Sequence, residues 1–389
     1  MVLRSRFAVV RAAALLAAFA AAPAVADAPK HLAPIPSSTL ALIAARNSTA
    51  SAPILMRAYK KEGELEVWKK ARGGRYVHLK TFPICRWSGQ LGPKQRLGDR
   101  QTPEGFYSIA PRQMNPNSSY HLSFDTGFPN AFDRAQGASG AYLMVHGNCS
   151  SAGCFAMTDK GIEEIYALAR EAFAGGQAEF QFQAFPFRMT AQNMARHRSD
   201  PNIAFWRQLK EGSDRFEATG EEPSIGVAGG RYAFRPFRDP AKEELAKTRV
   251  AQEETRVAAL IAEGVASVRT TYADGGQHPS FRNVRATGSL GTVSRPETLA
   301  LAGREIVVTP AKKRAVQVAE AKPVGEVGPA LPAWKPRLPA PTPEAEPSLF
   351  AMTPLSQGPS GGAAVQAFSG RIGIAHADAA ATPFQVAAK

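Results

Sequence analysis

Between Tyr142 and Thr158 the chain reads Tyr-Leu-Met-Val-His-Gly-Asn-Cys-Ser-Ser-Ala-Gly-Cys-Phe-Ala-Met-Thr, and side chains capable of covalent chemistry crowd together there. His146 closes an apolar run, and Cys149 and Cys154 follow in a loop of small residues. A thiol at its ordinary pKa of about 8.5 is mostly protonated at neutral pH; a neighbouring imidazole corrects that, as base or as imidazolium. The pattern predicts Cys154 as nucleophile and His146 as its general base. Ser151 and Gly153 leave room before the sulfur for substrate and for an oxyanion hole of backbone N–H groups. Two blander readings compete. A free cysteine is often no more than a small buried apolar residue. The spacing His-x-x-Cys-x-x-x-x-Cys also suggests zinc, but a zinc site wants three or four placed ligands, and only Cys85 remains as a further sulfur. Neither a metal nor another cofactor is expected.

The compartment bears on the thiols. Arg4, Arg6 and Arg11 precede or border an alanine-rich apolar run, Ala12 to Ala22, and Ala24-Val25-Ala26 follows it. Residues 1–26 therefore read as a secretory signal peptide. No later segment reaches the roughly 20 consecutive apolar residues of a membrane span. In an oxidising compartment three cysteines cannot all pair within one chain, so at least one thiol stays free. A disulfide between Cys149 and Cys154, or between Cys85 and Cys149, is compatible with that count. The net charge of +14 points to anionic envelope polymers as partners rather than nucleic acid.

The elements that must carry these groups are read from period and punctuation. Residues 27–49 form an N-terminal arm with a short helix over Ser38 to Asn47. Ile54 to Tyr59, Glu64 to Lys70 and Tyr76 to Phe82 are strands separated by Gly63 and Gly73-Gly74, an antiparallel meander. Residues 86–104 are a long loop, Phe106 to Ala110 a strand, and Tyr142 to Val145 a buried strand leading to His146. Thr158 caps a helix bearing Ile162, Ile165, Leu168, Ala169 and Ala172 at helical spacing, ended by Gly175-Gly176. Glu179 to Ala184 is another strand. Helices follow through Leu209, then an extended segment within Ile225 to Phe234. Residues 236–285 form an extension built on a mostly exposed helix, and 286–389 a Pro/Ala-rich tail without periodicity, read as disordered.

The set His146-Gly147 … Ser151-Ala152-Gly153-Cys154 resembles the His-Gly … Ser-x-Gly-Cys motif of L,D-transpeptidases with a YkuD-type catalytic domain. Thr102-Pro103-Glu104-Gly105 resembles the Thr-Pro-x-Gly segment that precedes it. Gly98 to Gly105, Met114 to Tyr120, Gly153 to Asp159 and Phe185 to Met189 are similar to the YafK-like branch, murein L,D-transpeptidase catalytic-domain proteins. The general family usually carries a histidine before its Gly-Cys pair, where this chain has Ala152, and Arg or Asn two positions after the cysteine, where it has Ala156.

The resemblance covers residues 50–235 and implies a mostly β catalytic domain with flanking helices, a β-sandwich or barrel. It implies that Cys154 attacks a stem peptide of peptidoglycan, that His146 is the base, and that Ser151 and Gly153 frame the nucleophile loop. An amine or water then resolves the acyl-enzyme, by transfer or by L,D-hydrolysis; murein-linked envelope proteins, attached or hydrolytically released, are further partners. A non-catalytic envelope-binding protein is the rival outside the enzymes. Asp99, Arg100, Glu104 and Arg188 are candidates for binding stem-peptide carboxylates or ammonium groups, Arg being suited to bidentate contacts, and Tyr120 for lining the cleft. His121 reads as structural, and Asp274-Gly275-Gly276-Gln277-His278-Pro279 as a loop docking on the domain.

Overall fold

The computed structural model describes residues 29–281 and 295–310; the expected signal peptide and the part of the tail beyond 310 lie outside the described residues. In chain order the elements are α1 (Ser37–Ala45), β1 (Ile54–Tyr59), β2 (Glu64–Lys70), β3 (Tyr76–Pro83), β4 (Gly105–Ile109), β5 (Met114–Asn115), β6 (Ser123–Asp125), α2 (Ala131–Ala135), β7 (Met144–His146), β8 (Phe155–Ala156), α3 (Asp159–Ala174) and β9 (Phe180–Phe185). Then come α4 (Ala191–Arg196), α5 (Ile203–Thr219), β10 (Ile225–Ala228), β11 (Arg231–Phe234), α6 (Pro240–Ala262), β12 (Ser267–Thr271) and β13 (Arg304–Thr309).

The expected meander forms: β1 pairs antiparallel with β2, and β2 with β3. β9 joins β1 in parallel and β4 joins β9, giving the order β3-β2-β1-β9-β4. Every residue of β1 is buried, as a central strand covered on both faces requires. A second sheet has the order β5-β6-β7-β8, antiparallel except for β7 beside β8. The two sheets meet through aromatic rings: Phe124 of β6 and Phe155 of β8 stand edge-on to Phe182 of β9, and Phe124 also to Phe180. Helix α3 links the sheets. Thr158 caps it by accepting the Gly161 N–H at 3.1 Å, and its Ile162, Ile165, Leu168, Ala169 and Ala172 are buried.

Two readings change, and a third gains detail. The architecture is mixed sheets with several helices rather than mostly β, because α3, α5 and α6 run 16, 17 and 23 residues. Helix α6 is mostly exposed, as expected, but its few buried side chains dock it on α5. Its Glu243 accepts from Arg215 at 2.6 Å and its Glu253 from Lys210 at 2.9 Å, both partners on α5, so charges a sequence assigns to solvent are docking contacts. Residues 304–309 fall in the stretch read as tail, yet they form β13, paired antiparallel with β12.

The long loop 86–104 is fixed by a buried charge pair. Lys60, just past β1, holds Glu104 at 2.9 Å with both side chains wholly buried. Glu104 also accepts the Gly92 N–H at 2.7 Å and the Trp206 indole N–H of α5 at 2.9 Å. Burial pulls the Lys60 pKa down against the opposing pull of Glu104. Removing one member of such a pair strands the other in an apolar interior. Glu104→Ala is expected to destabilise the protein by about 3–5 kcal/mol in urea unfolding; a loss below about 1 kcal/mol would show that the pair is not shielded from water.

Candidate active site

His146 is the last residue of β7, and Cys154 immediately precedes β8. The two strands run parallel with Val145 opposite Phe155 and His146 opposite Ala156, and the ladder continues as the Met157 N–H donates to the His146 carbonyl at 2.7 Å. That register sets Cys154 level with Met144, whose N–H lies 3.4 Å from the sulfur. Side chains two apart on a strand share a face, so Met144, His146, Cys154 and Ala156 point the same way. His146 and Cys154 line one cleft of about 340 Å³, together with Lys94, Asn115, Tyr120 and Tyr142.

The segment 147–154 is held from several directions. Cys85 and Cys149 form a disulfide, leaving Cys154 as the free cysteine. Asn148 (φ 64°) and Cys149 (φ 44°) occupy the left-handed region, which is costly for residues with a side chain and persists only where surroundings enforce it. Here the enforcing contacts are the disulfide, the Asp159 carboxylate accepting the Asn148 N–H at 2.7 Å, and the Cys149 N–H donating to the Met157 carbonyl at 3.2 Å. Ser151 is buried, and its Oγ accepts the N–H groups of Cys154 (3.1 Å) and Gly153 (3.3 Å) while donating to the Cys154 carbonyl at 2.7 Å. Both N–H groups at the expected oxyanion hole are therefore engaged by Ser151, which acts as a brace for the loop. Thr102 adds a second brace, donating to the same Cys154 carbonyl at 3.2 Å.

The electrostatics favour neutral groups. Cys154 is half-buried, and burial pushes its thiol up to about 11, against the Met144 N–H and the charge of Lys94. His146 is 2% exposed, and burial lowers its pKa below the ordinary 6.5, against the Gly147 carbonyl. His146 Nδ1 is 2.6 Å from that carbonyl, which can only accept, so the proton belongs on Nδ1 and Nε2 is left as the basic nitrogen. The Tyr120 ring lies over the imidazole at a centroid distance of 4.7 Å.

The remaining candidates separate. Tyr120 lines the cleft. Glu104 does not: it is enclosed by Lys60, Gly92 and Trp206. Asp99 turns inward to Lys94 and to the N–H groups of Gln95, Arg96 and Gln101. Arg100 pairs with Asp274 at 2.5 Å and reaches the Ser151 carbonyl at 3.4 Å, behind the segment 147–154. Arg188 lies in a different cleft, where it pairs with Glu64 and Glu66 and stacks on Tyr59 at 4.6 Å. His121 (φ 71°) is tied to Glu163 of α3 at 2.6 Å. Sequence reasoning missed Lys94, whose ammonium is buried in the cleft wall, and Tyr142, which begins no strand: it is 76% exposed with φ 59° at the cleft's rim. Its apolar neighbours Leu143 to Val145 concealed that break. Among the described residues no group of three or more His, Cys, Asp or Glu side chains is arranged to hold a metal, and no helix is long and apolar enough to cross a membrane.

Residues 55–174 match the YkuD family, the L,D-transpeptidase catalytic domain. The protein named "Putative L,D-transpeptidase YafK" in Escherichia coli (strain K12) is 43% identical over 203 residues, which span 52% of this chain and 81% of that one. Among solved structures, the helical cell shape determining protein Pgp2 from Campylobacter jejuni aligns over 60% of this chain and 80% of its own, at 14% identity and a TM-score of 0.29, too low to bear on the fold.

The site's protonation state can be read without any substrate. Cys154 is the free cysteine, and only the thiolate is alkylated by iodoacetamide. With the thiol's pKa near 11, the alkylation rate is expected to keep rising through pH 9 and 10. A plateau at or below the ordinary thiol value of about 8.5 would instead indicate a preformed thiolate–imidazolium pair.

Proposed function

The chain belongs to the YkuD-type L,D-transpeptidases, on their YafK-like branch, and from that premise we propose that it is an exported, periplasmic enzyme that acylates Cys154 with a peptidoglycan stem peptide and passes the acyl group to an amine. The observation that carries the reading is the pairing in one cleft of a free thiol and a histidine whose basic nitrogen is unprotonated, on one face of the β7–β8 pair.

The steps follow from the protonation states. Cys154 begins as a thiol and His146 as a neutral imidazole, so attack and proton transfer are coupled. As Sγ bonds to the scissile carbonyl carbon, its proton passes to His146 Nε2. The tetrahedral intermediate collapses, the C–N bond to the departing D-amino acid breaks, and the imidazolium returns the proton to the leaving amine. A thioester remains. In the second half an acceptor amine attacks that thioester, gives a proton to His146, and frees the thiol. Water in place of the amine yields hydrolysis by the same steps. Since the Cys154 and Gly153 N–H groups are bound to Ser151, they serve the oxyanion only if Ser151 turns away on substrate binding.

One pH limit follows. The base must be unprotonated, and its pKa is depressed, so the acidic limb of kcat/KM is expected below pH 6.5, with activity held across neutrality. The decisive assay incubates the purified protein with muropeptides and follows products by mass spectrometry. Cys154→Ala is expected to abolish turnover and His146→Ala to reduce it by roughly 10²–10⁴-fold. Cross-linked or amine-exchanged products identify an amine acceptor, and shortened or released peptides identify water. Turnover surviving in Cys154→Ala would sink the covalent mechanism.

A further inference from the structure

We infer that Asp274 is a positioning residue for the nucleophile loop, acting through Arg100. The inference rests on Cys154 being the nucleophile.

Asp274 lies a hundred residues beyond the matched catalytic domain, which ends at 174. It nevertheless sits directly behind the site, with 3% of its surface exposed. Its Oδ2 accepts from Arg100 Nε at 3.0 Å and Nη2 at 2.5 Å, and its Oδ1 from the Gly89 N–H at 3.2 Å. Arg100 Nη2 continues to the Ser151 carbonyl at 3.4 Å, and Ser151 Oγ binds the N–H and the carbonyl of Cys154. The path from Asp274 to the nucleophile thus runs through one guanidinium and one serine. Arg100 itself has φ 57°, a conformation a non-glycine residue holds only when fixed by its surroundings.

The segment around Asp274 is built for this place. The Gly275 N–H donates to the Gly89 carbonyl at 2.7 Å, and Gly276 exchanges N–H to carbonyl bonds with Trp87 at 3.0 and 3.1 Å. Gly275 has φ 74°, and a Cβ there would fall 2.0 Å from the Trp87 carbonyl oxygen, so the strand-like approach demands glycine. Arg86 Nη2 clasps the Asp274 carbonyl at 2.5 Å. The segment following β12 therefore belongs to the catalytic unit: it sets the orientation of Arg100 and through it the nucleophile loop.

Asp274→Asn keeps the shape of the side chain and removes its charge. In the full chain it is expected to lower kcat on muropeptides by on the order of ten- to a hundredfold, the cost of a small misplacement of reacting groups, with KM unchanged. Asp274→Glu is expected to recover part of kcat, which a merely structural role would not predict. Unaltered kcat in Asp274→Asn overturns the inference. If Asp274→Asn lowers Tm as well, Arg100→Lys decides, since a single ammonium can reach the carboxylate but not also the Ser151 carbonyl. A loss of kcat at unchanged Tm then supports the inference, and unchanged kcat overturns it. The Cys154 reading fails separately, by activity persisting in Cys154→Ala.

Discussion

The site depends on one piece of backbone geometry: β7 and β8 run parallel although only residues 147–154 join them. Parallel neighbours usually need a crossover of a dozen or more residues, commonly a helix. A shorter link must leave the strand end, return to its start and re-enter the sheet within a few residues, so it runs through backbone conformations that ordinary residues avoid. Asn148 and Cys149 with positive φ, and Gly153 at φ 142°, are the points where it turns. In exchange, the first residue back at the sheet lies beside the strand that ends in histidine, so thiol and imidazole share a face without either riding on a free loop.

Most of what surrounds the segment keeps that short crossover in shape. The disulfide holds its first half, Ser151 and Thr102 brace its second half, and Arg100 reaches the carbonyl between them. Thr102 is itself positioned by the loop that Lys60 and Glu104 pin against β1 and α5. Hence charged residues that look available for substrate are spent on scaffolding. The same enclosure governs protonation, because burial disfavours charge on both His146 and Cys154 and keeps the resting pair neutral.

What could be read from the sequence was what local pattern encodes. Helix α3 announced itself through its apolar period, its Thr158 cap and its glycine stop, and β1 to β3 through alternation and intervening glycines. His146 and Cys154 stood out because their residue types are chemically active and their spacing is short. Partnerships over long separations did not show. Glu104 beside Pro103 and Gly105 looks like a surface carboxylate until Lys60 and Trp206 close over it. Arg188 looks like a substrate clamp until Glu64 and Glu66 take it up. Asp274 is a turn residue in sequence and a pillar of the site only in three dimensions, and Tyr142 hides its positive φ inside an apolar run.

The cysteine arrangement has a consequence for the order of events during maturation. In an unfolded chain the chance that two residues meet falls as the segment between them lengthens. Cys149 is separated from Cys85 by 64 positions, while Cys154 is its near neighbour in the sequence. Oxidation ahead of folding therefore favours the pairing that consumes Cys154, the proposed nucleophile. Once β1 to β3 and the β7–β8 pair have assembled, Cys85 is already seated against Cys149, and the fold has chosen which sulfur remains reactive.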